Sequence, residues 1–401
     1  MADVTAPALP TFKGKAGWEF TDLSKLTLAD FAPAVAGEGD AAAVDRVDTL
    51  LEAPEGALHL GQVDGRVIGE GTEDDGLLVL PLTLACERHA ELVDEHFGTI
   101  VEAGQDVFTE LNDAGWTGGA LVYVPRGRRV DKPIVLTAIS DQAGVALHRR
   151  VLVVLEEGAE AEVWEQHLSG GGEETLLNSV VELRVGQNAS LRFVGAQDMN
   201  EKSWVFGSQR AEVARDGVLD WVVVGFGGAS GKVRTETLLA GEGSHAKVTG
   251  AYAPHSRQHI DYDTTQEHGA PNTTSDLAFR GILADRSSAV WRGMIKVDPG
   301  AQQTDAFQEC RNLLLSKRAH ADAIPGLEIL ANDVRCTHAA AIAQIDKEQL
   351  FYLRSRGLPE ATSQRLVIEG FMAELVQRFE EGAIRDAMSA ALERRLSVLL
   401  D

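Results

Sequence analysis

Cysteine is scarce in this chain: Cys86, Cys310 and Cys336 are its three in 401 residues. They are too few and too scattered for a disulfide framework, so any special role for them is chemical. Basic residues are also short, with 37 Lys and Arg against 61 Asp and Glu and a formal charge of −24. An acidic surface repels both a polyphosphate backbone and anionic lipid, which argues against nucleic-acid and membrane-surface partners. No run approaches the ~18 to 20 apolar residues of a membrane span. The N-terminal MADVTAPALPTFKGK lacks the apolar centre of a secretory leader, roughly 7 to 15 residues long. A cytoplasmic protein with no membrane segment is expected. Aromatic residues make up only 6%, and no paired carboxylates sit beside aromatic platforms as a carbohydrate-active β-helix enzyme would require.

What is present is the composition of a folded globular protein, 44% hydrophobic and 24% charged. The first ~115 residues mix polar linkers with helix-like segments. The clearest runs from about Leu84 through Glu110, with Leu92, Val93, Phe97, Ile100, Val101, Val107 and Phe108 on one stripe. Asn112-Asp113-Ala114-Gly115 is rich in turn residues and is expected to end it. From Ala120 the period changes to short β-branched or alternating runs: ALVYVP, PIVLTAIS, RVLVVLEEG, AEVWEQHL, SVVELRVG, SLRFVGAQ and LDWVVVG. Several share a turn residue, a small residue and then alternating apolar positions, beginning at Gly158, Gly186, Gly217, Gly243 and Gly300. The first intervals, 28, 31 and 26 residues, suit a solenoid whose coils differ in loop length. A β-sandwich would also account for the alternation.

Helical period returns after about Ile345. Lys347 to Arg356, Pro359 to Phe379 and Glu381 to Leu400 read as helices, with Leu366, Val367, Phe371, Leu375 and Val376 as the stripe of the middle one. The expected organisation is an N-terminal helical region (1–115), a β-helix core (116–345) and a C-terminal helical domain (346–401).

Three stretches carry candidate chemistry. Gly225-Phe226-Gly227-Gly228-Ala229-Ser230-Gly231-Lys232 invites a phosphate-loop reading, but Val233 stands where Ser or Thr would hold magnesium, so an inter-strand loop is expected. His255, His259, Asp261, Asp263, Glu267 and His268 contain ordinary metal donors. Their spacing matches no closed zinc signature, and a solvated strand face is expected. In Asp333-Val334-Arg335-Cys336-Thr337-His338, residues two apart on a strand share a face, so Cys336 and His338 project together as a soft-metal pair. Cys310 lies 26 residues earlier, about one coil, which would bring it near that strand. Small buried thiols and a structural histidine account for the same residues.

The run CRNLLLSKRAHADAIPGLEILANDVRCTHAAAIAQIDKEQLFYLRSRGL closely resembles the C-terminal core of the SufB/SufD family, scaffold subunits of the SUF iron-sulfur cluster assembly machinery. Gly17-Trp18-Glu19-Phe20-Thr21-Asp22-Leu23, Gly115-Trp116-Thr117-Gly118-Gly119 and Tyr123-Val124-Pro125-Arg126-Gly127 are similar to other motifs of that family. The resemblance implies a mainly β fold, a right-handed parallel β-helix flanked by N-terminal and C-terminal α-helical segments. SufD-type chains carry Cys-Ser-His-Gly where this chain has Cys336-Thr337-His338-Ala339, and SufB-type chains carry Glu-His-Glu-Ala at Thr337-His338-Ala339-Ala340. The SufD-type side is therefore expected.

By resemblance, the protein is a scaffold without ATPase activity of its own and with no catalytic residue. It would pair with a SufB-like paralogue, and a SufC-like ATPase would dock on the C-terminal helices around Phe351, Tyr352, Arg354, Phe371 and Met372. A desulfurase system would deliver sulfur indirectly. His338 and Cys336, with Cys310 where SufB-type chains place a cluster-building cysteine, become candidate ligands of iron or a transient iron-sulfur cluster. Thiolate and imidazole both ligate iron in such centres. The resemblance also admits reduced flavin in the complex, with no residue of this chain assigned to it. The alternatives are a purely structural partner subunit with no metal ligands of its own, or a SufB-like scaffold.

Overall fold

The computed structural model describes residues 8–11, 16–39 and 49–400. Most of the N-terminal stretch weighed against a secretory leader, 1–7 and 12–15, lies outside them. From Gly118 to Gln344 the chain alternates between two parallel sheets and forms about eight coils of a β-solenoid. One sheet runs Gly118–Val124, Val145–Leu155, Leu176–Val185 and so on to His320–Ile329. The other runs Ile134–Ser140, Glu160–Ser169 and so on to Arg335–Gln344. Each strand pairs in parallel register with the strand one coil away, as Val163 with Phe193 and Phe193 with Trp221. This pairing excludes the sandwich, whose strands are antiparallel.

The turn pattern seen in the sequence has a physical cause. Asn188, Asp216 and Asn272 adopt positive φ of 55°, 53° and 59°, which small polar side chains tolerate better than branched ones. Their amides donate to the next coil's turn, Asn188 N to Arg215 O at 3.0 Å and Asn272 N to Gln302 O at 2.9 Å. Turn therefore stacks on turn, and the small residue beside it, Ala159 or Ala189, closes the corner inside the coil. The interior is filled by inward-facing side chains such as Val163, Phe193, Trp221, Phe279 and Trp291.

The N-terminal region contains more than helix. Strands Leu58–Val63 and Leu77–Pro81 extend the two sheets beyond the first coil. The single helix expected over Leu84–Glu110 is three: α1 (Leu82–Arg88), α2 (Ala90–His96) and α3 (Val107–Gly115). His89 breaks the first pair with φ −131°, and Asp106 starts α3 with a capping box through Thr109. The cap overrides the turn composition at 112–115, which stays helical.

The C-terminal helices are α4 (Lys347–Ser355), α5 (Glu360–Val376) and α6 (Ala383–Leu400). Helices α5 and α6 cover the outer face of the second sheet. Ile368, Met372, Leu375 and Phe379 supply the buried stripe at spacings of four, three and four, whereas Leu366, expected in it, faces solvent. Arg395 locks α6 to the solenoid through the carbonyls of Phe226 and Ala253. No described helix is long and apolar enough to cross a membrane.

Candidate functional site

The glycine-rich stretch 225–232 is built for packing. Phe226 to Ala229 form the turn before the strand Ser230–Leu239, and a Cβ on Gly227 or Gly231 would collide with the carbonyl of Met199 or Val205. Lys232, far from a phosphate-loop role, is buried and donates to Asp261 at 3.0 Å.

The histidine and aspartate cluster corrects the expectation of a solvated face. Asp261 is buried because the N-terminal motif lies across the strand: Thr21 Oγ1 donates to Asp261 Oδ2 at 2.6 Å, and Trp18 packs against Phe108 and Phe206. The carboxylate is thus satisfied by a hydroxyl and an ammonium, as a buried charge must be. His268 points into the coil and bonds Thr273 at 2.7 Å and Ser275 at 2.9 Å. Burial pushes its pKa down to about 4, so it is neutral near pH 7.

The third candidate lies at the solenoid's last coil. Strand Arg335–Gln344 pairs in register with Asp305–Leu314, bringing Cys336 beside Ala306, His338 beside Gln308 and Cys310 beside Ala340. The one-coil interval therefore does make the two strands neighbours, with Cys310 four residues along the ladder from the partner of Cys336. In-register parallel neighbours project to the same side, so Cys336, His338 and Ala340 continue the inner-face column of Ala306, Gln308 and Cys310.

The two thiols differ in setting. Cys310 is fully buried in a closed triangle: Tyr252 Oη donates to Asn312 Oδ1 at 2.6 Å, Asn312 Nδ2 to Cys310 Sγ at 3.4 Å, and Tyr252 Oη lies 3.5 Å from Sγ. With the tyrosine proton committed to Asn312, the thiol donates back to Tyr252. Burial raises its pKa to about 11, so it is held as the thiol. Cys336 is half-buried, its pKa raised by desolvation and then by Asp305. His338 is exposed. Among the described residues no group of three or more His, Cys, Asp or Glu side chains could hold a metal ion. Cys336 and His338 supply two donors of an incomplete set.

Among the described residues nothing covers this end. The first coil is sealed by the strands and helices before it, including buried Leu78, Leu82, Ala85 and Val93. At the last coil the outer edges of His320–Ile329 and Arg335–Gln344 have no strand partner among the described residues. Ile324, Leu327, Ile329, Leu330 and Ile342 are exposed there, Leu330 at 54% and Ile342 at 45%. Full burial of such a side chain is worth about 1.5–3 kcal/mol, and these half-exposed ones forgo part of it. The sequence reading missed this surface, although it missed no residue type: the strand pattern simply ends with no further coil to bury it.

On α4, Phe351 is 75% and Tyr352 56% exposed, with Arg354 exposed beside them. Phe371 is half-buried, with the Arg280 guanidinium 5.9 Å from its ring centroid. Met372, expected with them on a docking surface, is only 3% exposed and packs in the helical core, because the i, i+4 stripe of α5 turns it inward.

Fold and site together define a parallel β-helix protein with an uncapped last coil that presents a cysteine and a histidine. Residues 137–371 match the family described as SUF system FeS cluster assembly, SufBD core domain, and residues 65–136 match the SufBD protein N-terminal region. The iron-sulfur cluster assembly protein SufD of Escherichia coli (strain K12) is 30% identical over 97% of this chain and 89% of its own length. That of Bacillus subtilis (strain 168) is 27% identical over 94% and 88%. An iron-sulfur cluster assembly SufBD family protein of Mycobacterium tuberculosis is 32% identical over 73% of each chain. The chain belongs to the SufB/SufD family of the SUF iron-sulfur cluster assembly system, on its SufD-type side.

Proposed function

We propose that this chain is a scaffold subunit whose uncapped last coil is completed by a SufB-like paralogue, with a nascent cluster held where the two meet. The observation that carries this reading is the coincidence of three features at one end of the solenoid. Among the described residues two strand edges lack partners, five large apolar side chains are exposed, and Cys336 and His338 lie on the inner-face column beside them. An unpaired, apolar strand edge is a template for another chain's strand. A paralogue built on the same coil would continue both sheets and bury those side chains.

The two donors of this chain then require others from the partner, since iron in such clusters takes four ligands per cluster from thiolate and imidazole. His338 is the better placed of the two, exposed and able to offer a ring nitrogen. Cys336 follows on partial burial, and release of its proton is assisted by metal binding. Cys310 lies inside the last complete coil, bonded as a thiol, and would join only after the Tyr252 and Asn312 contacts open. A SufC-like ATPase would dock through Phe351, Tyr352 and Arg354, with Phe371 at the margin and Met372 shaping the helix from behind. The complex would act in the cytoplasm.

The test replaces Leu327 and Ile342 by Lys, charges that block edge pairing without entering a core. Co-expressed with the SufB-like and SufC-like proteins of its own genome, the parent chain is expected to form a three-protein complex. The double variant should stay folded and lose the SufB-like subunit. A variant complex of unchanged composition would place the paralogue elsewhere and overturn the reading.

A further inference from the structure

The solenoid pairs its surface charges by stacking opposite signs along the coils. Arg192 sits between Glu162 and Asp220, and Arg210 between Glu236 and Glu267. One ladder breaks this habit. Arg257, Arg286 and Arg318 each lie two residues before His259, Ser288 and His320, which are successive register partners in the first sheet. The three arginines therefore rise one above another at turn corners, about 4.8 Å per coil. None has a side-chain hydrogen bond or ion pair among the described residues. The nearby carboxylates are engaged otherwise: Asp285 accepts from Ser256 N at 2.9 Å, Asp22 from Ser24 N at 2.9 Å, and Glu201 lies 3.4 Å from His255.

This ladder lines a cleft of about 890 Å³ between the turns and the N-terminal segment. Phe20, Trp204 and His259 line it as well, together with Lys25 and the carboxylates Asp22, Glu201 and Asp285. His259 Nδ1 bonds Ser288 Oγ at 2.8 Å, while its Nε2 is buried with no hydrogen-bond partner. A buried ring nitrogen without a partner costs free energy comparable to a lost hydrogen bond. Three stacked like charges are likewise unfavourable in a free protein. The charge cost falls when an anion occupies the cleft.

We infer that this cleft is a binding site for a small organic phosphate. Guanidinium forks match phosphate oxygens two at a time, and adjacent coils set two forks within reach of one phosphate group. The cleft is far larger than a bare phosphate and falls in the range of small-molecule sites. Its aromatic lining therefore receives an organic body, with the phosphate toward the arginines. An acidic segment of another protein is disfavoured by the concave shape and by the net charge of −24, which repels an extended polyanion. The site draws chiefly on Arg257 and Arg286, neither of which belongs to the uncapped surface, so it stands or falls independently of the paralogue interface, with Arg318, beside the last-coil strand His320–Ile329, at its outer margin.

The test is calorimetric titration of the full chain with phenyl phosphate, inorganic phosphate and a hexaglutamate peptide, at low and raised salt. Phenyl phosphate is expected to bind one per chain, more tightly than inorganic phosphate and more weakly as salt rises. Arg257→Gln with Arg286→Gln should weaken it by about tenfold or more and leave the free chain's unfolding midpoint equal or higher, because charge repulsion is relieved. Arg318→Gln, at an exposed corner, gives the same readout should the double variant misfold. No saturable binding, unchanged affinity in these variants, or tighter binding of hexaglutamate would overturn the assignment.

Discussion

Gln308 and His338 are register partners on neighbouring strands, yet one is fully buried and the other is exposed. Gln308 Nε2 donates inside the coil to Gly326 O at 3.1 Å and Gly293 O at 3.3 Å, while its Oε1 has no partner. His338 occupies the same column one coil later, where there is no further coil to enclose it. The difference between a core residue and a candidate ligand is thus the place where the solenoid stops. A histidine there has a free edge in front of it and a rigid, fully paired sheet behind, which is the condition for holding a ligand in fixed geometry.

The exposed aromatic pair on α4 should be the ATPase contact. Phe351→Ala with Tyr352→Ala is expected to weaken binding of the SufC-like subunit by about 2 kcal/mol or more, the scale of interface anchors. Neither ring is buried in the free chain, so thermal stability should hold. Retention of full affinity, measured by titration with the purified ATPase, would move the contact away from α4.

Asp261 should be the keystone of the N-terminal clasp. Asp261→Asn leaves the buried Lys232 without its 3.0 Å partner, with only Asp263 at 3.4 Å remaining. Breaking a buried pair from one side costs about 3–5 kcal/mol, and Thr21→Val should cost about 1–2 kcal/mol through the lost hydrogen bond. Urea unfolding reads both. A loss below about 1 kcal/mol for Asp261→Asn would show that water reaches the site.

Acid should destabilise the chain through two buried histidines. His148 and His268 each have a folded pKa lowered from 6.5 to about 4 by desolvation. Their folded values are depressed, so the unfolded chain binds the extra protons between these limits. Their contribution is complete above about pH 6.5 and is lost as pH falls toward 4, roughly 3 kcal/mol for each. His268→Gln should reduce the slope of stability against pH by about one proton in that window. An unchanged slope would mean that His268 is already charged in the folded state.

Most of the fold could be read in the residues because a solenoid repeats one local instruction. The turn residue, the small residue and the alternating apolar run recur from Gly158 onward, and the coil spacing placed Cys310 beside the strand of Cys336 and His338. Long-range packing was hidden. Nothing in His259-Ile260-Asp261 announces that Thr21, 240 residues away, will cover Asp261. The same limit misplaced Leu366 and Met372, since a helix with apolar residues on several sides does not say which side meets the sheet. The uncapped end was invisible for a different reason: exposure there comes from the absence of a neighbour, and a strand pattern reads alike with or without one.

If His338 helps hold a nascent cluster at an end completed by a paralogue, the iron bound by the complex depends on its ring. The most direct test is anaerobic co-purification with the SufB-like and SufC-like proteins of the same genome, followed by iron and acid-labile sulfide assay with and without His338→Ala. An intact three-protein complex whose iron and sulfide both fall in the variant is expected. An intact complex with unchanged iron and sulfide would contradict that dependence and leave this chain a purely structural partner.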